Sequence, residues 1–366
     1  MRRRSKQVMC GNVPIGGGSA VSIQSMTNTD TRDVSATVNQ IERLQDAGCQ
    51  IVRCAIPDQE AAEAFAKIKS KVRLPLVADI HFDYRLALSA IANGADKVRI
   101  NPGNIGDNEK IKKILDAAKE RNIPIRIGVN SGSLEKNILK KYGGVTPQAL
   151  AESALNTIDF VQNMGFDELV LSIKSSDVRL NQEAHRLVAE RTMLPLHIGI
   201  TEAGTAQSGK VKSAIGIGAL LLDGIGDTMR VSLTGDPVEE IIFAKDILKA
   251  LNLRKNSINL ISCPTCGRTR VDLVKITKEI EKQIVSIERQ MEKQNIQGIT
   301  VAVMGCEVNG PGEAREADFG VACGKGKGVL IQKGEIIKTI PEERISEELF
   351  ALIKQKLGIE GFFGVK

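Results

Sequence analysis

The stretch PIRIGVN, residues 124–130, combines two features that seldom occur together in one strand. It is rich in β-branched residues, which is typical of a strand. Arg126 nevertheless stands inside it, although a parallel strand covered on both faces is expected to be almost purely apolar. Side chains two residues apart share a face, so Arg126 aligns with Asn130. The stretch therefore predicts a buried parallel strand that carries charge on one face.

Seven further runs repeat this pattern along the first two-thirds of the chain, separated by turns and by segments with the apolar spacing of helices. Eight strand–helix units over roughly 250 residues predict a parallel (β/α)8 TIM barrel in the α/β class. The alternative is a doubly wound open sheet, but no GxGxxG motif follows the first run. The seven runs are VSIQSMT (21–27), QIVRCAI (50–56), PLVADIH (75–81), DKVRIN (96–101), DELVLSIKS (167–175), PLHIGIT (195–201) and TMRVSL (228–233).

Cations occupy similar positions, inside or near the carboxyl ends, in five of the eight runs. A barrel brings its strand ends together at one mouth, where five cations would repel each other unless an anion enters. The alternative, that every one of them points to the surface or pairs with a helix carboxylate, needs five separate coincidences. We expect a multiply charged anion, and a diphosphate suits guanidinium groups best. The five cations are Arg53, Arg99, Arg126, Lys174 and Arg230.

Other polar residues lie near the same strand ends. Glu202 directly follows the seventh run and is a candidate general acid/base beside the anion, with a structural salt bridge as the alternative. His81 ends the third run and is a possible substrate contact. Of the other histidines, we expect His185 to be solvated on a helix and His197 to be a core residue.

The pattern changes after AKDILKALNLRK, and we place a domain boundary near Asn256. Residues 1–255 then form the barrel, and residues 256–366 form a smaller α+β domain with strands at 258–262 and 299–304. A long helix between these strands has an apolar stripe with a spacing of three to four residues. The stripe consists of Leu273, Ile276, Ile280, Ile284, Ile287 and Met291.

Both strands of the second domain lead into cysteines, in SCPTCGRT (262–269) and MGCEVNGPGE (304–313). Cys263, Cys266 and Cys306 should therefore converge at one edge of a sheet. Zinc with Cys323 as the fourth ligand is one alternative, but a CxxC followed by two single cysteines is unlike a zinc ribbon. An iron–sulfur cluster with three cysteines and one weaker ligand fits the spacing better.

The composition argues against several classes of protein. The formal net charge is +6, aromatic residues are 3% and Trp is absent, which disfavours a surface that stacks nucleic-acid bases. No segment approaches the ~20 apolar residues that cross a bilayer, and no apolar region follows the basic N-terminus. Seven cysteines without a secretory signal indicate a reducing compartment. We expect a cytoplasmic protein with no nucleic-acid or membrane partner, in which Cys10, Cys49 and Cys54 are buried thiols.

These motifs, in this order, resemble the bacterial 4-hydroxy-3-methylbut-2-enyl diphosphate synthases of the non-mevalonate isoprenoid pathway. The chain has no room for the large extra domain of the plant-type enzymes, so it is similar to the two-domain form. That form has a TIM barrel followed by a smaller, sulfite-reductase-like iron–sulfur domain. The likeness runs through VSIQSMTNTDT, LVADIHF, VRINPGNIG, IRIGVNSGSL, LSIKSSD, HIGITEAG, MRVSLTGDP, SCPTCGRT and MGCEVNGPGE.

The resemblance implies a 4Fe–4S cluster bound by Cys263, Cys266 and Cys306, with Glu313 as a displaceable fourth ligand. It implies that 2-C-methyl-D-erythritol 2,4-cyclodiphosphate is reductively opened and dehydrated, with electrons from flavodoxin or ferredoxin and Glu202 as the acid/base. It also implies a head-to-tail homodimer. The residues implied to hold the diphosphate are Arg53, Arg99, Arg126, Lys174, Arg230 and Ser232, assisted by Asn130.

Two functions of other classes remain open from the sequence. A C-terminal half stabilised by zinc would be a nucleic-acid-binding module. The presence of bound iron and sulfide would rule this function out. A metal-independent barrel transferase, similar in shape to pterin-binding synthases, would carry a purely structural cluster. Dependence of turnover on a reductant separates that transferase from a reductase.

Overall fold

The computed structural model describes residues 2–306 and 310–359, without the side chains of residues 133, 310, 311 and 313. The chain divides into two compact units, of which the first ends at Leu251 and the second begins at Asn252. This division falls just before the boundary placed near Asn256 from the sequence. Each unit has its own sheet and its own buried apolar core.

The strands of the first unit form a hairpin and a barrel. An antiparallel hairpin of the first two strands precedes eight strands that pair in parallel in the order β8-β7-β6-β5-β4-β3-β10-β9. A parallel bridge between Leu171 and Leu196 joins the two ends of this order, so the sheet closes on itself. The predicted TIM barrel is confirmed, and the open sheet is wrong. The strands are β1 (Val8–Cys10), β2 (Val13–Ile15), β3 (Ser22–Met26), β4 (Ile51–Ala55), β5 (Leu76–Asp79), β6 (Lys97–Ile100), β7 (Ile125–Asn130), β8 (Leu169–Lys174), β9 (His197–Ile198) and β10 (Thr228–Met229).

Ten helices of the first unit follow or connect these strands. Six of them are preceded by an N-cap aspartate, whose side chain accepts a hydrogen bond from a backbone N–H of the first turn. This bond satisfies a donor that the helix itself leaves free. These caps define where the chain turns from strand end into helix, next to the mouth of the barrel. The helices are α1 (Val34–Ala47), α2 (Gln59–Lys69), α3 (Tyr84–Ala92), α4 (Pro102–Ile105), α5 (Asn108–Glu120), α6 (Lys136–Tyr142), α7 (Pro147–Asn163), α8 (Val178–Ala189), α9 (Ala206–Leu222) and α10 (Pro237–Ala250).

The hairpin β1–β2 closes the amino-terminal end of the barrel. Its buried side chains pack against inward-facing apolar side chains of β4, β5 and β8, in one cluster. This end of the barrel is therefore largely apolar, with the buried Lys97 of β6 as an exception. The cluster consists of Val8, Cys10, Ile15, Ile51, Val77 and Val170. Cys10, Cys49 and Cys54 are all buried, as the sequence predicted.

The second unit is a five-stranded mixed sheet with helices. Its first three strands are parallel and its last three antiparallel, in chain order across the sheet. The α+β prediction is confirmed. The strands are β11 (Ile258–Ser262), β12 (Ile299–Met304), β13 (Phe319–Gly324), β14 (Lys327–Gln332) and β15 (Glu335–Pro341), and the helices are α11 (Leu273–Gln294), α12 (Gly310–Arg315) and α13 (Ile345–Leu357).

The long helix α11 places its whole predicted stripe in the core. All six apolar residues of the stripe are buried, together with residues of α13 and one face of the sheet. Ala314 of α12 packs in a second apolar cluster with Ala302 and Met304, which are alternate residues of β12. Across the described ranges 2–306 and 310–359, we find no helix with the length and apolar content needed to span a bilayer.

Candidate active site

A cavity of about 490 Å³ opens at the carboxyl ends of the barrel strands. Six of the residues selected from the sequence line it, although they come from four strands and two loops. Arg230 and Ser232 line a smaller adjoining cavity, which Lys174 also lines. Arg126 is completely buried. The six lining residues are Arg53, His81, Arg99, Asn130, Lys174 and Glu202.

Asp79 anchors two of the arginines. Its Oδ1 accepts a hydrogen bond from Nη1 of Arg99 at 3.2 Å, and its Oδ2 lies 3.6 Å from Nε of Arg53. Burial by itself would raise the pKa of Asp79, but the charges of Arg53 and Arg99 outweigh burial and bring the pKa to about 2. Asp79 is therefore a carboxylate that holds both guanidinium groups in place.

The guanidinium group of Arg126 is buried, and none of its three nitrogens has a hydrogen-bond partner in the described part of the chain. Burial lowers the pKa of Arg126 well below its usual value, and the neighbouring charges of Arg53 and Arg99 lower it further. Burial and the charges of Arg53 and Arg126 likewise lower the pKa of Lys174. A buried cation without an anion beside it has a high free energy. Arg126 and Lys174 therefore favour the binding of an anion.

The carboxyl group of Glu240, on helix α10, lies next to Arg230. The Nε of Arg230 lies 3.6 Å from Oε2 of Glu240. Glu240 is buried and also accepts hydrogen bonds from the hydroxyl of Ser25 at 3.2 Å and from the backbone N–H of Leu233 at 3.0 Å. Glu240 thus joins the strand that carries Arg230 to its neighbour β3 and fixes the segment that follows Ser232.

Arg53 and Arg230 also share a neutral neighbour at the end of β3. The sulfur of Met26 lies 2.8 Å from Nη2 and 3.1 Å from Nε of Arg53. It lies 3.6 Å from Nη1 of Arg230. Met26 lines the cavity between the two arginines.

Glu202 has an uncommon backbone conformation. Its φ is 51°, in the left-handed region that residues with a side chain seldom occupy. Its side chain is exposed and lines the cavity, while Ala203 after it is buried. Strained backbone at the rim of a polar cavity is a common feature of functional sites. The turn therefore presents this carboxylate to whatever the cavity binds.

Gly128 makes room for Arg99. A Cβ at this position would lie 3.0 Å from both Nε and Nη2 of Arg99. That approach is closer than carbon and nitrogen atoms tolerate without displacement. A side chain at residue 128 would require the guanidinium group of Arg99 to shift by a few tenths of an ångström.

The three histidines differ in their surroundings. His81 lines the cavity, half exposed, and its Nε2 lies 3.9 Å from Oδ2 of Asp79. His197 is buried in the barrel, as expected. The expectation that His185 is solvated is wrong, because it is completely buried and its Nδ1 lies 2.8 Å from the carbonyl oxygen of Asn181. A helix position alone does not reveal which face meets the barrel.

The cysteine motifs of the second unit lie at one end of its sheet. Cys263 follows β11, Cys306 follows β12, and these strands pair in parallel. The sulfur of Cys263 accepts the backbone N–H of Gly305 at 3.2 Å, and the N–H of Arg270 bonds to the carbonyl of Gly305 at 3.2 Å. The loop after β11 therefore folds over the residue that precedes Cys306.

The described cysteines have the chemistry of metal ligands. Cys266 is exposed, and the backbone N–H of Arg268 lowers the pKa of its thiol, which favours the thiolate form. Among residues 2–306 and 310–359, no three or more His, Cys, Asp and Glu side chains are arranged closely enough to hold a metal ion. The side chain of Glu313 lies outside the described residues. Cys323 is buried in the core of the second unit, and burial raises the pKa of its thiol to about 12.

Sequence reasoning gave no role to Asp79, Met26 or Glu240. Asp79 had a usable signal, since an acid inside an apolar strand is unusual. Met26 and Glu240 had none, because a methionine and a helical glutamate are ordinary in any sequence. Lys97 was also missed. It is completely buried in β6, and burial lowers its pKa to about 8.

The fold and this arrangement define a class: a β/α-barrel protein with a cavity lined by cations at its mouth, followed by a smaller domain with cysteine motifs at one end of its sheet. Two family profiles match the chain, "GcpE TIM-barrel domain" over residues 5–245 and "GcpE protein C-terminal domain" over residues 259–355. The chain belongs to the GcpE family.

Curated relatives are similar over nearly their whole length. A protein of Caldanaerobacter subterraneus subsp. tengcongensis is 55% identical over 355 residues, 97% of this chain and 98% of its own. One of Clostridium perfringens is 57% identical over 353 residues, 96% of this chain and 99% of its own. Both are named 4-hydroxy-3-methylbut-2-en-1-yl diphosphate synthase (flavodoxin).

A solved structure of a different enzyme shares the barrel. Dihydropteroate synthase from Stenotrophomonas maltophilia superposes with a TM-score of 0.50 at 14% identity, covering 68% of this chain and 97% of its own. At this identity the likeness concerns the fold alone. It gives no support to the barrel transferase that the sequence left open.

Proposed function

We propose that this chain converts 2-C-methyl-D-erythritol 2,4-cyclodiphosphate to (E)-4-hydroxy-3-methylbut-2-enyl diphosphate in isoprenoid biosynthesis. The observation that carries the proposal is the 55–57% identity, over nearly the full length, to relatives named as synthases of this product. The reaction breaks the bond between C2 and its phosphate oxygen and removes the C3 hydroxyl as water. It consumes two electrons, so the enzyme is an oxidoreductase. The proposed cluster makes it an iron–sulfur enzyme.

The mouth of the barrel is the proposed site for the diphosphate. When the ring opens, negative charge develops on the phosphate oxygen that leaves C2, and fixed cations stabilise such charge. We assign this role to Arg53, Arg99, Arg126, Lys174 and Arg230, with Ser232 and Asn130 as hydrogen-bonding partners. The support is that most of them line the two adjoining cavities and that the buried guanidinium group of Arg126 has no hydrogen-bond partner in the described part of the chain.

Glu202 is the proposed acid/base. Hydroxide is a poor leaving group, so a proton delivered to the C3 hydroxyl lowers the barrier to its loss as water. The carboxyl group of Glu202 lines the same cavity as the arginines, on a backbone turned toward it. His81, which also lines the cavity, is a second contact for the substrate.

The end of the second unit's sheet that carries the cysteine motifs is the proposed site of a 4Fe–4S cluster. Cys263, Cys266 and Cys306 would hold it, with Glu313 as the weaker fourth ligand. The fit rests on one buried, one half-buried and one exposed thiol that follow two parallel strands at one end of the mixed sheet, with the thiolate of Cys266 favoured. When bound, such a cluster supplies electrons and an iron atom that acts as a Lewis acid.

Flavodoxin is the proposed electron donor, because the relatives carry it in their names, and ferredoxin is the alternative. In this division of labour, residues 1–255 bind the substrate and residues 256–366 receive the electrons. Thiol ligands and a low-potential donor both require a reducing compartment, so we place the enzyme in the cytoplasm.

We further propose a head-to-tail homodimer. The last barrel helix, α10, follows β10 and, as in any β/α barrel, runs back toward the end opposite the mouth. The second unit begins directly after it, at Asn252. A domain that starts there reaches the mouth of a partner's barrel more easily than that of its own. Two-fold symmetry would then create two equal composite sites.

The test is turnover of the anaerobically reconstituted protein. The cyclodiphosphate should be consumed only when reduced flavodoxin or dithionite is present, and one water should be lost per product formed. Iron and sulfide should be bound in equal amounts. Turnover without any reductant, or bound zinc in place of iron, would overturn the proposal.

A further inference from the structure

A row of alternating donors and acceptors crosses the mouth of the barrel from β6 to α10. Arg99 donates to Asp79, Asp79 faces Arg53, Arg53 donates to Met26, Met26 faces Arg230, and Arg230 faces Glu240. The distances along the row are 3.2, 3.6, 2.8, 3.6 and 3.6 Å. We call these six residues the arginine row: Arg99, Asp79, Arg53, Met26, Arg230 and Glu240.

The arginine row has one uncharged acceptor, and it stands in the middle. Asp79 and Glu240 are carboxyl groups near the two ends, each beside an arginine. Between Arg53 and Arg230 in this row stands the thioether of Met26. A thioether is a weak acceptor and carries no charge. It orients the N–H groups of both arginines but compensates neither of them.

The backbone explains why the thioether stands there. Met26 is the last residue of β3, and β3 pairs with β4 on one side and β10 on the other. Met26 is directly opposite Arg53 in the register of β3 and β4. Both arginine side chains are largely buried. The sulfur of Met26 on β3 is a common acceptor for the two guanidinium groups.

We propose that Met26 is a positioning residue for the anion: its thioether holds Arg53, which lines the larger cavity, and Arg230, which lines the adjoining one, and leaves their charge for the substrate. The inference rests on the proposed diphosphate site. A carboxylate at residue 26 would orient the arginines equally well but would neutralise them. An aliphatic side chain would preserve the charge but would release both guanidinium groups from their common acceptor.

Three substitutions separate these properties. Met26→Leu keeps the volume and removes the acceptor, Met26→Gln restores a neutral acceptor at similar length, and Met26→Glu adds a negative charge. Met229→Leu is the matched control, because this buried methionine of β10 is adjacent to Arg230 in sequence and so points to the opposite face of the strand. Binding of inorganic diphosphate is measured by calorimetry, together with kcat and KM for the cyclodiphosphate.

We expect Met26→Leu to weaken diphosphate binding and raise KM by about 5- to 10-fold with kcat nearly unchanged, as for loss of a charge-assisted contact. Met26→Gln should return both values to within about 3-fold of the wild type, and Met26→Glu should weaken binding by about 100-fold or more. Met229→Leu should change neither value.

Two results would overturn the inference. One is a Met26→Leu enzyme that binds diphosphate like the wild type. The other is a Met26→Gln enzyme no better than Met26→Leu, since either result would make Met26 a space-filling residue. If the wild type bound neither diphosphate nor the cyclodiphosphate, the proposed function would fail first and the inference with it. Thermal unfolding of each variant shows whether a loss of binding reflects a loss of fold.

Discussion

The Nη1 of Arg99 lies 3.2 Å from Oδ1 of Asp79, on two neighbouring strands of the barrel. Arg53 faces the other carboxylate oxygen from the opposite side, at 3.6 Å. One acid therefore holds two of the cations that we assign to the diphosphate. Such an anchor stabilises the barrel by compensating buried charge, and it also presents the remaining guanidinium N–H groups to the cavity.

Asp79→Asn should destabilise the barrel by about 3 kcal/mol, because removal of one partner leaves buried charges uncompensated. Inorganic diphosphate should raise the Tm of this variant more than that of the wild type, because the ligand replaces the missing negative charge. Differential scanning calorimetry with and without diphosphate measures both effects. Asp30→Asn, which breaks an exposed pair with Arg32, is the control and should leave the Tm nearly unchanged. Equal shifts by diphosphate in the variant and the wild type would refute the anchoring role.

Glu202→Gln should abolish most turnover while leaving substrate binding intact. The amide keeps the shape of the side chain but cannot deliver a proton, so kcat should fall by about 100-fold or more with little change in the Kd for the substrate. Steady-state kinetics over a range of pH, with the iron content as a control, measure this. A Glu202→Gln enzyme as active as the wild type at every pH would show that another group transfers the proton.

Cys263→Ser, Cys266→Ser and Cys306→Ser should each lose most of the bound iron after anaerobic reconstitution. Cys323→Ser is the matched control and should retain it, because Cys323 is buried in the apolar core and its thiol resists ionisation. Iron and sulfide analysis and the electron paramagnetic resonance spectrum of the reduced protein are the measurements. Full loss of iron in the Cys323 variant would instead point to ligation by four cysteines.

His185 should make the stability of the barrel sensitive to acid. Burial lowers its pKa from 6.5 to about 4, so between these pH values the unfolded chain binds a proton that the folded chain does not. Stability should be complete above pH 6.5 and should fall by about 3 kcal/mol as the pH drops to 4. His185→Gln should flatten this part of the profile. Urea unfolding at several pH values tests it, and an unchanged slope in the variant would contradict the assignment.

Mixed dimers should restore activity between two inactive variants. Glu202→Gln chains and Cys306→Ser chains are each inactive alone, but a mixed dimer with sites shared between subunits has one site with both intact parts. Random mixing makes half of the dimers mixed, so activity should recover to about a quarter of the wild type. Co-expression with two affinity tags isolates the mixed species. Mixed dimers without activity would show that each barrel uses its own second domain.

The secondary-structure elements and their order could be predicted from the sequence alone. The apolar stripe of α11 is spaced at three to four residues, and every member of the stripe is buried in the structure. The charged strands could be recognised because burial on both faces leaves few reasons for an arginine such as Arg126 in a strand. Both signals are local, since periodicity and turn residues depend on neighbours along the chain. The cysteine motifs were equally local, because each follows the end of a strand.

The tertiary structure decided which groups compensate one another. Asp79 lies between arginines of two other strands, Glu240 reaches Arg230 from a helix, and Met26 separates Arg53 from Arg230. None of these contacts is visible in the sequence, because each depends on the register of the barrel and on which side of a strand its neighbour passes. His185 became a core residue for the same reason, since only packing selects the face of a helix that is buried. Electrostatic energy depends on distances through space, and in a closed barrel residues far apart in the chain become the nearest neighbours.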